Sequence, residues 1–260
     1  MTEIPLDDRG FLLGHGLFET VLWTGGRLEH WDDHLERLER GCRTLRLPPP
    51  ERAAALAAAQ AAVAAASAPK RGAVRINWTA GAGGTGDLDP PAELRPGLTA
   101  MAWALGPAPG PAKLVTAHVR RNDRSPTSRL KSLSCLDNVI ARAEALESGA
   151  DEALMLNTAG EVACAAAANV FWVRHEEVFT PDLDCGVLDG IMRRQVIAAC
   201  HDLGLPVQEV YANLGRMAGA PMFLTSSLSG VRPVASLDGR ELPTSPLVAA
   251  IAKAVSRASK

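Results

Sequence analysis

Residues 131–173 read KSLSCLDNVIARAEALESGADEALMLNTAGEVACAAAANVFWV, and the pattern changes twice along them. Apolar and small residues recur at helical spacing from Leu133 to Ser148, and Gly149 supplies the left-handed residue that ends a helix. Short strand-like runs follow at Ala153–Leu156 and Val170–Val173, then at Val178–Thr180. Asp189-Gly190 opens a second helix over Met192–Leu203. Pro221–Thr225 reads as a strand entering a serine-rich loop, and a last helix is expected over Pro246–Ala258. Upstream, Leu17–Trp23 reads as a strand ending in a Gly25-Gly26 hairpin signal. His34, Leu35, Leu38, Cys42 and Leu45 then recur at helical spacing, with Asp32 and Asp33 as cap candidates and Pro48-Pro49-Pro50 as the stop. The Ala-rich run 52–67 is helical by propensity. Ala73–Thr79, Leu98–Leu105 and Leu114–Arg120 read as strands, with a Gly/Pro/Asp loop from Gly81 to Gly97. No internal repeat is visible. The alternation of strands and helices predicts an α/β (α+β) two-domain fold. A smaller domain is expected over 1–120, a polar linker containing Pro126 over 121–128, and a larger domain over 129–260.

Composition narrows the function. The 260 residues are 47% hydrophobic, enough for a sizeable core. The formal net charge is −2, so no basic field attracts nucleic acid. No apolar run approaches the roughly 20 residues of a membrane span. The N-terminus MTEIPLDDRG is polar and acidic, unlike a secretory signal. Five scattered cysteines without a C-x-x-C pair read as reduced thiols of a cytoplasmic protein and argue against a metal site.

The residues by themselves leave the chemistry open. Lys131 is one of five lysines, the others being Lys70, Lys113, Lys253 and Lys260. It stands between an apolar residue and a helix start, where a lysine can be desolvated into an amine nucleophile or can simply lie on the surface. The Asp189-Gly190-Ile191 turn would present N–H groups to an anion, or be an ordinary helix start. Thr225-Ser226-Ser227 offers hydroxyls to a phosphate, or is a plain polar loop.

Together, these pieces resemble a known family. The run from Lys131 to Val173, followed by FTPDLDCGVLDGIMRRQVI at 179–197, is similar to the central signature of the fold-type-IV, class-IV aminotransferase enzymes that use pyridoxal 5′-phosphate (PLP). The opening DRGFLLGHGLFET and the helix HLERLERGCRTL resemble that family's N-terminal pattern. The resemblance covers nearly the whole chain and implies a D-amino-acid aminotransferase-like fold. It also implies a homodimer with the active site at the junction of its domains, acting on a small-molecule amino substrate. Lys131 matches the family's Schiff-base lysine, which also moves the substrate proton. Arg37 matches the arginine that clamps the cofactor phosphate, though it could instead form an ordinary helix ion pair with Asp33. The N–H groups of Ile191 and Met192 would complete the phosphate cup, with Ser226 and Ser227 in the loop before Arg232-Pro233.

Two departures bear on the reaction. Family members place a Glu five residues before the Asn of NVF, against the pyridine nitrogen; counting back from Asn169 gives Cys164. Glu161, three residues away, is expected to face the opposite side of a strand. Transaminases place a Tyr four residues after the lysine, where this chain has Cys135. A neutral thiol at the ring nitrogen weakens the electron sink that transamination needs, whereas a thiolate would restore much of it. The pieces ANVFW, GIMR and TAGAGGTG resemble aminodeoxychorismate lyases. Ala80, Thr85 and Asp87 stand where those lyases carry Arg, Arg and Tyr, and His15 where an Asp is usual. Remaining basic residues for a dicarboxylate are Arg75, Arg120, Arg121, Arg129 and Arg232. The leading expectation is an aminodeoxychorismate-lyase-like enzyme that eliminates pyruvate. An amino-acid aminotransferase of branched-chain or D-amino-acid type is the first alternative, and a PLP-binding homologue without turnover is the second.

Overall fold

The computed structural model describes residues 4–83, 86–89 and 91–258. Thr85 and Lys260, and the first three residues of the acidic N-terminus, lie outside the described residues. In chain order the elements are α1 (Arg9–Leu13), β1 (Gly16–Thr24), β2 (Arg27–Leu28), α2 (Trp31–Leu45), α3 (Arg52–Ala65), β3 (Arg71–Ala82) and β4 (Arg95–Ala104). Then come β5 (Ala112–Arg121), α4 (Leu136–Glu147), β6 (Glu152–Asn157), β7 (Val162–Ala165), β8 (Asn169–Arg174) and β9 (Glu177–Pro181). The chain continues with α5 (Ile191–Asp202), β10 (Val207–Val210), α6 (Leu214–Met217), β11 (Met222–Ser226), β12 (Gly230–Leu237), β13 (Arg240–Glu241) and α7 (Pro246–Ala258).

Backbone contacts divide the chain into two units, Met1–Pro107 with Leu130–Ser134, and Ala108–Arg129 with Cys135–Lys260. The division does not follow the expected 121–128 linker. β5 pairs in parallel with β6 and β12, which fixes it in the larger sheet. Residues 130–134 belong with the smaller unit for an equally local reason. Ser132 bridges Leu17, the Phe18 N–H donates to the Lys131 carbonyl at 2.8 Å, and the Leu133 N–H donates to the Gly16 carbonyl at 3.0 Å. Pairing with β1 also explains why α4 begins at Leu136 rather than Leu133.

The smaller unit carries the antiparallel sheet β2-β1-β3-β4. Alternation along β1 buries Leu17, Glu19 and Val21 on one face and leaves Phe18 and Thr20 half-buried on the other. Leu17 packs with Leu35, Leu38 and Cys42 of α2 and Ala55, Ala59 and Val63 of α3. Asp32 and Asp33 are not the cap of α2: His30 is, in a left-handed conformation, and the two acids lie in the first turn near the positive end of the helix dipole. β3 and β4 run longer than expected and shorten the loop between them. Gly81 makes the crossing possible: its φ is +80°, and a Cβ there would lie 1.6 Å from the Arg95 carbonyl oxygen.

The larger unit carries a nine-stranded mixed sheet, ordered β10-β9-β8-β11-β12-β5-β6-β7 with β13 beside β12. β8 is buried on both faces: Val170 and Trp172 join one core cluster, Phe171 and Val173 another under α5 and α7. β7 (VACA), β10 and β12 were not expected from the sequence. Alanine-rich β7 has little strand propensity of its own and is a strand because β6 pairs with it. No helix among the described residues is long and apolar enough to cross a membrane.

Candidate active site

In the smaller unit, pairing of Lys131 with Phe18 places both side chains on the same face, and the Lys131 amine lies 4.3 Å from the Phe18 ring centroid. The Arg75 guanidinium carbon lies 3.7 Å from the same centroid, and its Nε donates to Asn77 Oδ1 at 2.8 Å. Asn77 Nδ2 in turn donates to Thr99 Oγ1 at 3.1 Å. Two cations thus flank one aromatic ring on a half-buried sheet face, an arrangement suited to a small anionic substrate beside an amine.

On the opposite face of β1, Glu19 is buried at 1% exposure. Arg37 grips it with both prongs, Nε to Oε1 at 2.8 Å and Nη2 to Oε2 at 2.6 Å. His34 Nδ1 reaches Oε2 at 2.6 Å. Burial pushes the Glu19 carboxyl up, but Arg37 and His34 outweigh it and hold the group well below the usual carboxylate range. Burial pushes His34 down against the pull of Glu19, and the charges of Arg37 and Lys131 push it further in the same direction. The imidazole is therefore neutral near pH 7, with its Nδ1 proton on the acceptor-only carboxylate. Arg37 was expected in this site, but with Asp33 as its alternative partner. Glu19 and His34 were missed. Their signal was present: a charged residue at the buried parity of β1, opposite a helix carrying His34 and Arg37 one turn apart.

The larger unit gathers a second group at one end of β8 and β11. Asn169 and Thr225 are register partners. Asn169 Nδ2 donates to the Leu188 carbonyl at 2.9 Å and so ties down the turn before α5. α5 begins at Gly190 with no side-chain cap, and Asp189 turns away to accept from Arg194 Nε at 2.8 Å. The N–H groups of Ile191 and Met192, both in buried residues, open the helix. Thr225 Oγ1 is buried without a hydrogen-bond partner among the described residues. Ser226 Oγ is shared with Ser229 Oγ at 2.7 Å, which shapes the loop, and Ser227 follows it. An uncapped helix N-terminus and an orphan hydroxyl, linked through Asn169, suit a bound phosphate.

Gly190 is part of that construction. A Cβ there would lie 2.0 Å from Asn169 Oδ1. Gly190→Ala is expected to push Asn169 off the Leu188 carbonyl and to destabilise the fold by about 1–3 kcal/mol, the scale of local overpacking. Denaturant unfolding measures this; an unchanged midpoint would contradict the assignment.

Cys164 lies on β7 opposite Met155, buried among Ala117, Ala141, Ala163, Ala166 and Cys185. Burial pushes its thiol up; Arg121 opposes this and Glu152 adds to it. The thiol is therefore protonated at neutral pH. Glu161 was expected to face the opposite side of a strand. A register shift between Met155 and Leu156 breaks the simple alternation of β7, so parity does not decide its direction. Its carboxylate instead accepts from Asn157 Nδ2 at 2.9 Å in the β6–β7 turn. Cys135 is the N-cap residue of α4, without a side-chain cap bond.

Of the remaining basic residues, Arg121 is committed to structure. It donates to the Gly186 carbonyl at 3.1 Å, to Asn138 Oδ1 at 2.9 Å and to the Ser128 carbonyl. Arg120 reaches the Ala117 carbonyl, Arg129 pairs with Asp184, and Arg232 donates to the Gly110 carbonyl. Arg75 alone of the five lies over the ring that Lys131 shares. His15 sits 3.5 Å from Arg9 Nε, and that arginine also holds the carbonyls of Asp87, Leu88 and Asp89.

Known proteins share this architecture. A solved chain from Legionella pneumophila, described as a candidate 4-amino-4-deoxychorismate lyase, superposes with a TM-score of 0.90 at 27% identity, covering 99% of this chain and 96% of that one. A branched-chain aminotransferase from Thermoproteus uzoniensis superposes with a TM-score of 0.89 at 26% identity, covering 98% and 89%. The aminodeoxychorismate lyase of Vibrio harveyi is 30% identical over 246 residues, 92% of this chain and 89% of that protein. The α/β (α+β) fold of type IV expected from the sequence is the one these proteins have. The pattern of the family described as Amino-transferase class IV matches residues 16–237, a span that holds Glu19, Arg37, Lys131, Cys164, Asn169 and the α5 start; the chain is an enzyme of the amino-transferase class IV family.

Proposed function

We propose that the chain is a pyridoxal 5′-phosphate-dependent lyase that eliminates pyruvate from an aminodeoxychorismate-like substrate and leaves an aromatic amine. The observation that carries the choice of lyase is the buried, protonated thiol of Cys164 at the position the family gives to a carboxylate. The residues present fit the cofactor. The phosphate is suited to the uncapped start of α5 and the orphan Thr225 hydroxyl, followed by Ser226 and Ser227; the resemblance implies Arg37 as its clamp. Lys131 is suited to its aldehyde. Asn169 holds the α5 turn in place, and Cys135 stands at the start of α4. When bound, PLP supplies an electron-withdrawing ring conjugated to the substrate carbon that bears the amino group.

The chain's own residues do the rest. The Lys131 amine takes the proton from that carbon and returns one where the product needs it. The Phe18 ring, 4.3 Å from the amine, holds it over the half-buried face of β1. Arg75, held by Asn77, is placed to receive a substrate carboxylate. The Cys164 thiol, unable to hold a proton on the ring nitrogen, keeps the sink weak. Elimination with aromatisation tolerates a weak sink better than transamination does. The runner-up is an aminotransferase, which the likeness to the Thermoproteus enzyme favours. Products separate the two: incubation with aminodeoxychorismate should release pyruvate with no net pyridoxamine formed. Pyridoxamine accumulation with L- or D-amino acids and no pyruvate from aminodeoxychorismate would overturn the lyase reading.

The same reading includes a homodimer. Leu136, Val139, Ile140 and Leu146 lie on one exposed face of α4, with Leu136 at 73% exposure. A contiguous apolar helix face of this kind is suited to burial against a second copy. Light scattering at micromolar concentration should give twice the chain mass of 27.4 kDa; a monomer with full activity would contradict it.

A further inference from the structure

We infer that Glu19 is a positioning residue for the phosphate clamp, an inference that rests on the role proposed for Arg37. A guanidinium binds an anion well only when its plane is aimed, and the long side chain of Arg37, buried on the inner face of α2, has several torsional rotamers of its own. Glu19 removes that freedom. It accepts from Nε and Nη2 on one edge of the guanidinium, so the plane is fixed and the Nη1 corner faces away from the carboxylate. His34 adds a third donor, on Oε2, and locks the carboxylate against rotation. The carboxylate is itself fixed by its place on β1, whose pairing with β3 runs without a break from Gly16 to Thr24.

The charges of the cluster sum to zero: Glu19 is ionised, Arg37 is cationic and His34 is neutral. Arg37 therefore contributes direction more than net charge, and a lysine cannot replace it. An ammonium is a point donor that cannot span both carboxylate oxygens and still face a phosphate. The same geometry predicts what a neutral isostere does. Three donors converge on two carboxylate oxygens. Gln offers one oxygen and an NH2, so at least one N–H of Arg37 or His34 would face another N–H. The guanidinium must then rotate away from its fixed plane. Competition is the opposing effect, since Glu19 also draws on the positive charge that a phosphate would use. Competition is the weaker effect here, because a buried arginine that loses its partner does not stay poised but seeks a new one.

The test compares PLP with pyridoxal, which lacks the phosphate, by titration into cofactor-free protein. Glu19→Gln should reduce the preference for PLP over pyridoxal about tenfold or more, roughly one charge-assisted hydrogen bond. Its affinity for pyridoxal should change less than about twofold. Arg37→Lys should lose the preference to a similar degree. If Glu19→Gln keeps the preference while Arg37→Lys loses it, Glu19 does not position the clamp, and the role of Arg37 stands. If Arg37→Lys also keeps it, the role of Arg37 falls and the inference with it. Equal losses for PLP and pyridoxal in Glu19→Gln would mark a purely structural residue, and a raised preference would mark a competitor; either overturns the inference. Should Glu19→Gln not fold, Glu19→Asp keeps the charge but shortens the reach. A preference reduced with pyridoxal binding intact supports the inference, and an unchanged preference overturns it.

Discussion

Lys131→Ala is expected to abolish turnover and the visible absorbance of the bound cofactor together. The expectation rests on the side chain alone. The Lys131 carbonyl accepts from the Phe18 N–H, and that main-chain bond survives truncation, as do the flanking contacts of Ser132 and Leu133 with β1. The fold should therefore hold while the amine is lost. Removing a group that acts as base and acid costs about 10²–10⁴-fold in rate, and loss of the covalent anchor adds to that. Steady-state pyruvate release, an absorbance spectrum with PLP and a thermal melt check it in one preparation. A variant that melts as wild type yet keeps its absorbance would transfer the role to another lysine.

Cys164→Glu should move the enzyme toward transamination. On the proposed reading, a carboxylate at this position would hold a proton on the ring nitrogen; burial pushes the present thiol up and keeps it protonated. The new charge would not be isolated, since Arg121 is near enough to act electrostatically on Cys164. Each unit gained in ring pKa is worth about 1.4 kcal/mol between protonation states, so each unit could raise pyridoxamine formation up to about tenfold. Stopped-flow measurement with an amino donor reads the rate, and PLP occupancy must be measured alongside, because Glu is larger than Cys in a tightly packed cluster. Cys164→Ala is the control and should leave the ring no better protonated. A fully occupied Glu variant that forms pyridoxamine no faster than wild type would remove Cys164 from the argument.

Much of this was legible in the sequence, and the failures have physical causes. The starts of α5 and α7 fall within one residue of expectation and α2 ends before Pro48-Pro49-Pro50, because periodicity and stop signals are local. Lys131 was legible as a residue but not in its place. It was assigned to the C-terminal part, and it clusters with the N-terminal unit because Lys131, Ser132 and Leu133 pair with β1 across more than a hundred positions of sequence. No local pattern announces such pairing. β7 was missed because alanines carry no strand signal. Glu161 was set aside by parity, and the irregular register of β6–β7 makes that argument fail; its carboxylate accepts from Asn157. The Glu19 cluster was within reach, since an acid at a buried strand position demands a partner and Arg37 was already in view.

The most direct test of the account is to reduce the PLP-loaded enzyme with borohydride and map the modified peptide by mass spectrometry. Reduction fixes the cofactor aldehyde to whichever amine holds it. The account predicts one pyridoxyl-phosphate adduct per chain, on Lys131. An adduct on Lys70, Lys113 or Lys253, or no adduct from a protein saturated with PLP, would contradict it.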